Sequence, residues 1–293
     1  MIKVVSVIII SYNTKDITLK CLAYLHKSAG AEFEVIVVDN GSNDGSVEEI
    51  EKRYPGILII KNKANLGFAK ANNQGMKEAS GEHFLLLNSD CFVETDTIRI
   101  LLKAMEAMRD VDMAGCKLLN SDGSTQPSFG YFPTLSRVFA LMMFIDNLPL
   151  VRKFFPSIHV RELSRYAKVT EADWVMGALV LLKREVFVKT GGFDEKYFMY
   201  GEEVEWMKRA RIAGYKTAYI PQTKATHIGG ASSPDKAPAL IGEMIGWKNW
   251  FLKYHSPVQQ SILPFIVSAG CILRIFLKPD YSVFYKQALR KIW

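Results

Sequence analysis

Two apolar runs in the chain end in an aspartate: Val35-Ile36-Val37-Val38-Asp39-Asn40 and Phe84-Leu85-Leu86-Leu87-Asn88-Ser89-Asp90. Asp39 is expected beside Ser11-Tyr12-Asn13, which closes an earlier apolar run. A carboxylate there accepts a pyrimidine ring N–H or a ribose hydroxyl, and Tyr12 is placed to stack on the base. Asn88-Ser89-Asp90 offers one carboxylate and one amide oxygen, hard ligands that suit Mg²⁺ or Mn²⁺ shared with a diphosphate. His227 lies in Thr226-His227-Ile228-Gly229-Gly230-Ala231-Ser232-Ser233. Neutral imidazole ligates a metal and cationic imidazole pairs with phosphate, while a histidine that is merely hydrogen-bonded is the plainer reading. Each aspartate can likewise be no more than a turn or helix cap.

The elements that must position these groups read as repeated strand and helix. Unbroken aliphatic runs are strands buried on both faces, so the aspartates fall at strand ends, where ligands bind in open α/β sheets. Strands are expected at Val4–Ile10, Val35–Val38, Ile57–Ile60, Phe84–Leu87, Trp174–Leu182 and Thr217–Ile220. Helices are expected from about Asp16, from Ser46 under a Ser46-Val47-Glu48-Glu49 capping box, and from Gly67 to about Ala79. Further helices follow through Ile98–Met108, from Arg184, and from Glu202 to Ala213. This alternation predicts an α/β, doubly wound, mostly parallel sheet with helices on both faces and a helical C-terminal extension. Residues 1–125 form a nucleotide-binding half, 126–240 an acceptor-binding half, and 241–293 a basic amphipathic tail. The aromatic stretch 128–168, with Phe129, Tyr131, Phe132, Phe154 and Phe155, has no clear period. It reads as an acceptor lid, a membrane-facing flap or an ordinary helical hairpin.

Composition limits the classes. With 293 residues, 49% apolar and 23% charged, the chain is globular and not disordered. Four scattered cysteines without a Cys-x-x-Cys pair fit reduced thiols in the cytosol and no structural zinc. The amino terminus has no small-residue cleavage site and reads as a first strand, not a signal peptide. The net charge of +7 gathers in the tail, and nothing in its placement points to nucleic acid. Ile262–Leu273 is short for a span and interrupted by Pro264, with Arg274 next. It reads as an interfacial helix with basic flanks or as a core helix. No Gly-x-Gly-x-x-Gly or Gly-x-x-x-x-Gly-Lys-Ser/Thr occurs, so dehydrogenase and P-loop chemistry lack their phosphate cradle.

The segments Ser6–Asn13, Val38-Asp39-Asn40-Gly41-Ser42, Asn65-Leu66-Gly67-Phe68-Ala69 and Leu87-Asn88-Ser89-Asp90 occur in an order that resembles the family 2 glycosyltransferases. Trp174-Val175-Met176-Gly177-Ala178, Gly192-Phe193-Asp194-Glu195 and Tyr200-Gly201-Glu202-Glu203-Val204-Glu205 extend the likeness over nearly the whole chain, toward the bacterial rhamnosyltransferase-like branch. The resemblance implies a GT-A fold, a dTDP- or UDP-linked sugar donor, a divalent metal (Mg²⁺ or Mn²⁺) and inversion. It implies donor contacts from Ser11, Tyr12, Asn13, Asp39, Asn65, Gly67, Asn88 and Ser89, and metal binding at Asp90, with His227 assisting. It also implies a general base within Glu202-Glu203. Asn88 stands where an acid usually opens the metal triplet, and Glu203 where aspartate is common.

Helical spacing chooses within the acids: Glu205 has Lys208 and Arg209 three and four places on, which reads as a surface ion pair. Glu203 and Glu202 have no cation partner on their own helix, so Glu203 is the expected base and Glu202 its substitute. Asp173, Trp174, Gly177 and Asp194 are candidate acceptor contacts, Trp174 by stacking on a sugar unless it is core. The expected acceptor is a saccharide or polyprenyl-linked saccharide, and the expected location is cytoplasmic, peripheral on the inner face of the membrane. Two other classes compete: a sugar-phosphate nucleotidyltransferase, which would want a glycine-rich basic loop where Ser11-Tyr12-Asn13-Thr14 stands, and a non-catalytic nucleotide-sugar-binding scaffold.

Overall fold

The computed structural model describes residues 5–148, 150, 156–230 and 237–293. Val4, Phe154, Phe155 and Ala231–Ser233, on which sequence expectations fell, lie outside the described residues. The chain begins with β1 (Val5–Ser11), α1 (Lys15–Leu25), β2 (Phe33–Asp39), α2 (Ser46–Arg53), β3 (Leu58–Lys61), α3 (Phe68–Glu78) and β4 (His83–Asn88). It continues with β5 (Cys91–Val93), α4 (Thr97–Ala107), β6 (Met113–Leu119), β7 (Thr125–Gln126), β8 (Phe129–Gly130) and α5 (Leu135–Met142). Then come β9 (Thr170–Ala172), β10 (Trp174–Val175), β11 (Leu179–Lys183), α6 (Arg184–Thr190), α7 (Glu202–Ile212) and β12 (Thr217–His227). Three helices follow: α8 (Ala237–Tyr254), α9 (Pro257–Leu277) and α10 (Ser282–Ile292).

The main sheet has the order β3-β2-β1-β4-β11-β6-β12-β5. β3, β2, β1 and β4 are parallel, and β6 pairs parallel with β12. The sheet is mixed because β11 runs antiparallel between β4 and β6, and β5 antiparallel to β12. Alternate residues along each strand serve two separate cores, which is why the runs lack polar alternation. Ile8, Ile36 and Leu86 join α3, α7, α8 and α9 on one face, with Trp206 and Phe251 fully buried. Val7, Ile9, Val37 and Leu85 join Leu22 of α1, Ile50 of α2 and Leu101 of α4 on the other.

Several expected boundaries move. Trp174–Leu182 is not one strand: Met176–Ala178 breaks it, β10 pairs with β8, and β11 joins the main sheet. The last strand does not stop at Ile220. Its register shifts between Ile220 and Lys224, around Pro221, and it continues to His227, since proline cannot donate to the ladder. His227 is therefore the final strand residue, not a loop residue. Helix α2 begins at Ser46 as expected, but the capping box does not form: Asp44 Oδ1 accepts from the Ser46 amide at 3.1 Å.

The described part of 128–168 packs inward, with Phe129, Phe132, Val138, Ile158, Val160 and Tyr166 buried. Trp250 Nε1 donates to Pro133 O at 3.0 Å, and Trp250 stacks on Phe132. All four cysteines are free and buried.

Candidate active site

The register sets the site. Ser11 pairs with Asp39 and Ile10 with Asn88, so β1, β2 and β4 end at one rim. Asp39 and Asn88 flank β1, two strand spacings or roughly 10 Å apart, a separation that a nucleoside diphosphate bridges.

Asp39 is 3% exposed. Its Oδ1 accepts the amides of Gly41 and Ser42 at 3.1 and 2.9 Å, while its Oδ2 is buried with no partner. An orphaned buried carboxylate oxygen is costly unless a ligand donor completes it. The rim loops are stitched together around it: the Asn13 amide donates to Ser42 Oγ and Asn13 Oδ1 accepts from the Asn43 amide, each at 2.9 Å. Asn13 is exposed with φ 51°, and Tyr12 is half-buried beside it. Ser11 departs from expectation. Its hydroxyl is fully buried among Thr14 and Thr18, so it shapes the loop and does not reach a donor.

Asn65 acts on the same loop. Its Oδ1 accepts from Asn40 Nδ2 at 3.1 Å and from the Gly67 amide at 2.9 Å. Gly67, at φ 86°, passes so close to Phe198 that a Cβ would lie 2.6 Å from the Phe198 carbonyl oxygen. The Phe68 amide donates to that oxygen at 2.7 Å, which ties the donor rim to the loop leading into α7.

Asp90 and His227 meet although 137 residues separate them: His227 Nε2 lies 3.3 Å from Asp90 Oδ1. His227 Nδ1 is 2.8 Å from Gln126 Oε1, and Gln126 Nε2 donates to Asn120 Oδ1 at 3.0 Å. That second bond fixes the Gln126 amide with its oxygen toward the imidazole, so Nδ1 donates to it and Nε2 is the ring atom that faces Asp90. Two ligands of one octahedral Mg²⁺ or Mn²⁺ sit about 3 Å apart, so this oxygen and nitrogen fit such an ion. Among the described residues no group of three His, Cys, Asp or Glu forms a metal cluster. The protein therefore offers two ligands here, leaving positions for diphosphate and water. Asn88 Nδ2 is 3.5 Å from His227 Nε2, and Ser89 is buried between Asn88 and Asp90. Gln126 has no signal in the sequence.

The acid pair opens α7. Glu202 is 4% exposed and Glu203 half-buried, and each has one carboxylate oxygen without a partner. Burial, then the charge of Glu203, pushes the Glu202 carboxyl well above its ordinary value. Burial also raises Glu203, against hydrogen bonds from the amides of its own residue, Gly201 and Gly177 and the charge of His159. Gly177 lies directly against Glu203, where a Cβ would sit 3.7 Å from the Glu203 Cβ. Tyr200, strained at φ 73°, has its hydroxyl pKa raised by burial, then by Glu202, Asp90 and Glu203. Tyr200 thus lies within electrostatic reach of both the Asp90–His227 pair and the acid pair. His159, Gln126 and Tyr200 are the members of the candidate site that sequence reasoning missed.

Three expectations are corrected. Trp174 is 2% exposed, donates from Nε1 to Tyr131 O at 3.0 Å and meets the edge of His159, so its face is closed to a sugar. Asp173 accepts from the Phe132 amide and pairs with Arg211, while Asp194 pairs with Lys253 at 3.1 Å; both are committed to structure. Glu205 is not a surface residue. It is 0% exposed and held by Arg209 and Lys253, each at 2.8 Å, and by Tyr254, while Lys208 lies over the Phe132 ring.

The sequence model described as "Glycosyl transferase family 2" matches residues 6–144. The N-acetylglucosaminyl-diphospho-decaprenol L-rhamnosyltransferase of Mycobacterium tuberculosis (strain ATCC 25618 / H37Rv) is 27% identical over 242 residues, 78% of this chain and 76% of that one. Rhamnosyltransferase WbbL of Escherichia coli K12 is 27% identical over 232 residues, 76% of this chain and 83% of that one. Among solved structures, the mannosyltransferase PcManGT from Pyrobaculum calidifontis, in complex with GDP-Man and Mn²⁺, covers 99% of this chain and 80% of its own, with a TM-score of 0.59 and 17% identity. The fold is GT-A. Sequence and architecture agree in their direction: just under half of the chain matches the family 2 model, and the chain is similar to family 2 glycosyltransferases, rhamnosyltransferases among them.

Proposed function

We propose that this glycosyltransferase moves a sugar from a dTDP- or UDP-linked donor to a hydroxyl of a saccharide or polyprenyl-linked saccharide, with inversion, in cell-surface polysaccharide synthesis. The observation that carries the proposal is the Asp90–His227 pair, poised as two metal ligands, on the rim where Asp39 keeps one carboxylate oxygen unpartnered. Asp39 takes the base N–H or a ribose hydroxyl, with Tyr12, Asn13, Asn65 and Gly67 shaping the nucleoside pocket. Asp90 and His227, with Asn88 and Ser89 alongside, would hold Mg²⁺ or Mn²⁺. Such an ion, when bound, neutralises charge on the diphosphate. Glu203 takes the proton of the acceptor hydroxyl as that oxygen bonds to the anomeric carbon and the bond from this carbon to the diphosphate oxygen breaks. A single displacement by one base inverts the centre. Relatives named as rhamnosyltransferases, one of them acting on a decaprenol-linked saccharide by its name, support rhamnose and a lipid-linked acceptor. Of the acceptor candidates only Gly177 remains beside the base.

The test is a transfer assay with dTDP-rhamnose and a panel of UDP-sugars, Mg²⁺ or Mn²⁺, and a polyprenyl-diphosphate saccharide, with products read by mass spectrometry and the anomeric configuration by NMR. One donor should yield an inverted product only with metal. A retained configuration, or equal turnover with chelator, overturns the mechanism; nucleotide binding without turnover for every pair would indicate a scaffold.

A further inference from the structure

We propose that the outward face of α9, together with the basic outer face of α10, docks in the plane of an anionic lipid bilayer. The proposal stands on this surface alone and does not require the transfer reaction.

Among the described residues, α9 is the one helix long and apolar enough to cross a membrane, and most of its length is not buried within the protein. Leu263, Val267, Gly270, Cys271 and Arg274 face the protein. Val258, Ile262, Phe265, Ile272 and Phe276 face outward, from 41% to 79% exposed. Spaced four, three, seven and four residues apart, they form one stripe about 27 Å long. The outward face of this 21-residue helix carries no charge, because its one charged residue, Arg274, is turned inward. An apolar stripe of that length on a free surface marks a binding face.

Two observations identify the occupant as an anionic bilayer. The stripe is bordered by cations: α10 exposes Lys286, Arg290 and Lys291, and neither Lys286 nor Arg290 forms a salt bridge among the described residues. Trp293 lies at the border, 65% exposed, with its edge on Phe265 and its Nε1 donating to Ser268 Oγ at 3.1 Å. An aromatic ring with a polar handle beside apolar side chains and cations suits the headgroup level.

Arg274 decides between lying on the membrane and crossing it. The expectation that it is a basic flank fails: its guanidinium donates to the carbonyls of Leu141 and Met142 at the end of α5, and it covers the Phe144 ring at 4.1 Å. Crossing would tear α9 from α5, α8 and α10 and leave a guanidinium in hydrocarbon. Lying flat keeps these bonds and buries only the stripe.

The test is flotation of the full chain with vesicles of equimolar phosphatidylglycerol and phosphatidylcholine, or of phosphatidylcholine alone. The chain should float with the anionic vesicles and be released by salt. Phe265→Glu with Ile272→Glu should lower binding at least about ten-fold, and Lys286→Glu with Arg290→Glu by about 25-fold, at roughly five-fold per lost cation. Both variants should keep the wild-type melting temperature and its rise with nucleoside diphosphate, which separates a lost surface from a lost fold. Absence of flotation, or flotation indifferent to Phe265→Glu with Ile272→Glu, overturns the proposal. So does a dimer in sedimentation that those substitutions dissolve, which would make a second copy of the chain the occupant. A chain that binds vesicles but no nucleotide would refute the transferase reading and leave this one standing.

Discussion

Glu203 stands at the start of α7, where backbone amides reach its carboxylate while burial raises its proton affinity. A base with a raised pKa is the stronger acceptor for a hydroxyl proton, provided the pH is high enough to ionise it. Glu203→Gln keeps the shape and removes the base, so turnover should fall by roughly 10²–10⁴-fold while the affinity for nucleoside diphosphate is unchanged. In the parent enzyme the acidic limb of kcat/KM should lie above the ordinary glutamate range, because activity requires the ionised form and burial delays ionisation. Steady-state kinetics across pH, with calorimetric titration of the nucleotide, reads both; full activity in the glutamine variant would remove Glu203 from this role. Residues of this kind were legible only when chemistry and position coincided. Asp39 and Asp90 announced themselves as polar stops on apolar runs. Ser11 occupied a similar stop and proved internal, because two threonines one helical turn apart draw its hydroxyl inward. Gln126 left no trace, since its role comes from a short strand that the fold lays beside His227.

Elements were most legible where burial on both faces forces unbroken apolar runs, as in β1, β2 and β4. Strand direction was not, because nothing in Leu179–Lys183 records that the turn before it reverses the chain. Helix α7 shows how a surface pattern can mislead. Glu205 with Lys208 and Arg209 reads as a solvent-facing pair, yet Lys253 and Tyr254 of α8 close over it, and no local spacing contains a partner 48 residues away. Burial alone would raise the Glu205 carboxyl, but hydrogen bonds from Arg209 and Lys253 overcome it and hold it below the ordinary value. Its stabilisation is therefore complete above the unfolded value near 4.5 and is lost as pH falls through the lower folded value. Breaking a buried pair strands its partners, so Glu205→Gln should cost about 3 kcal/mol at neutral pH. The cost should shrink in acid. Denaturant titration at both pH values measures it, and an unchanged midpoint at neutral pH would show that α8 does not depend on this tie to α7.

At the scale of the whole molecule, the proposed site draws on residues far apart in sequence: Asp39 from β2, Asp90 after β4, Glu203 from α7 and His227 from the end of β12. A ligand that touches several of them binds the folded chain and has nothing comparable to hold in the unfolded one. Nucleoside diphosphate with Mn²⁺ at a hundred times its dissociation constant should therefore stabilise the fold by about 2.7 kcal/mol, a rise in melting temperature of roughly 4 °C for a chain of this size. Chelator should remove most of that rise for the diphosphate. It should remove little for the nucleoside, whose contacts are with Asp39 and its loop. His227→Ala should reduce the metal-dependent part and leave the nucleoside part alone, because in the proposed site the imidazole serves the ion and not the base. Differential scanning fluorimetry with nucleoside, diphosphate and metal varied separately resolves the contributions. A metal-dependent rise that survives loss of His227 undiminished would move the ion away from the Asp90–His227 pair and dissolve the link between the first half of the chain and its last strand.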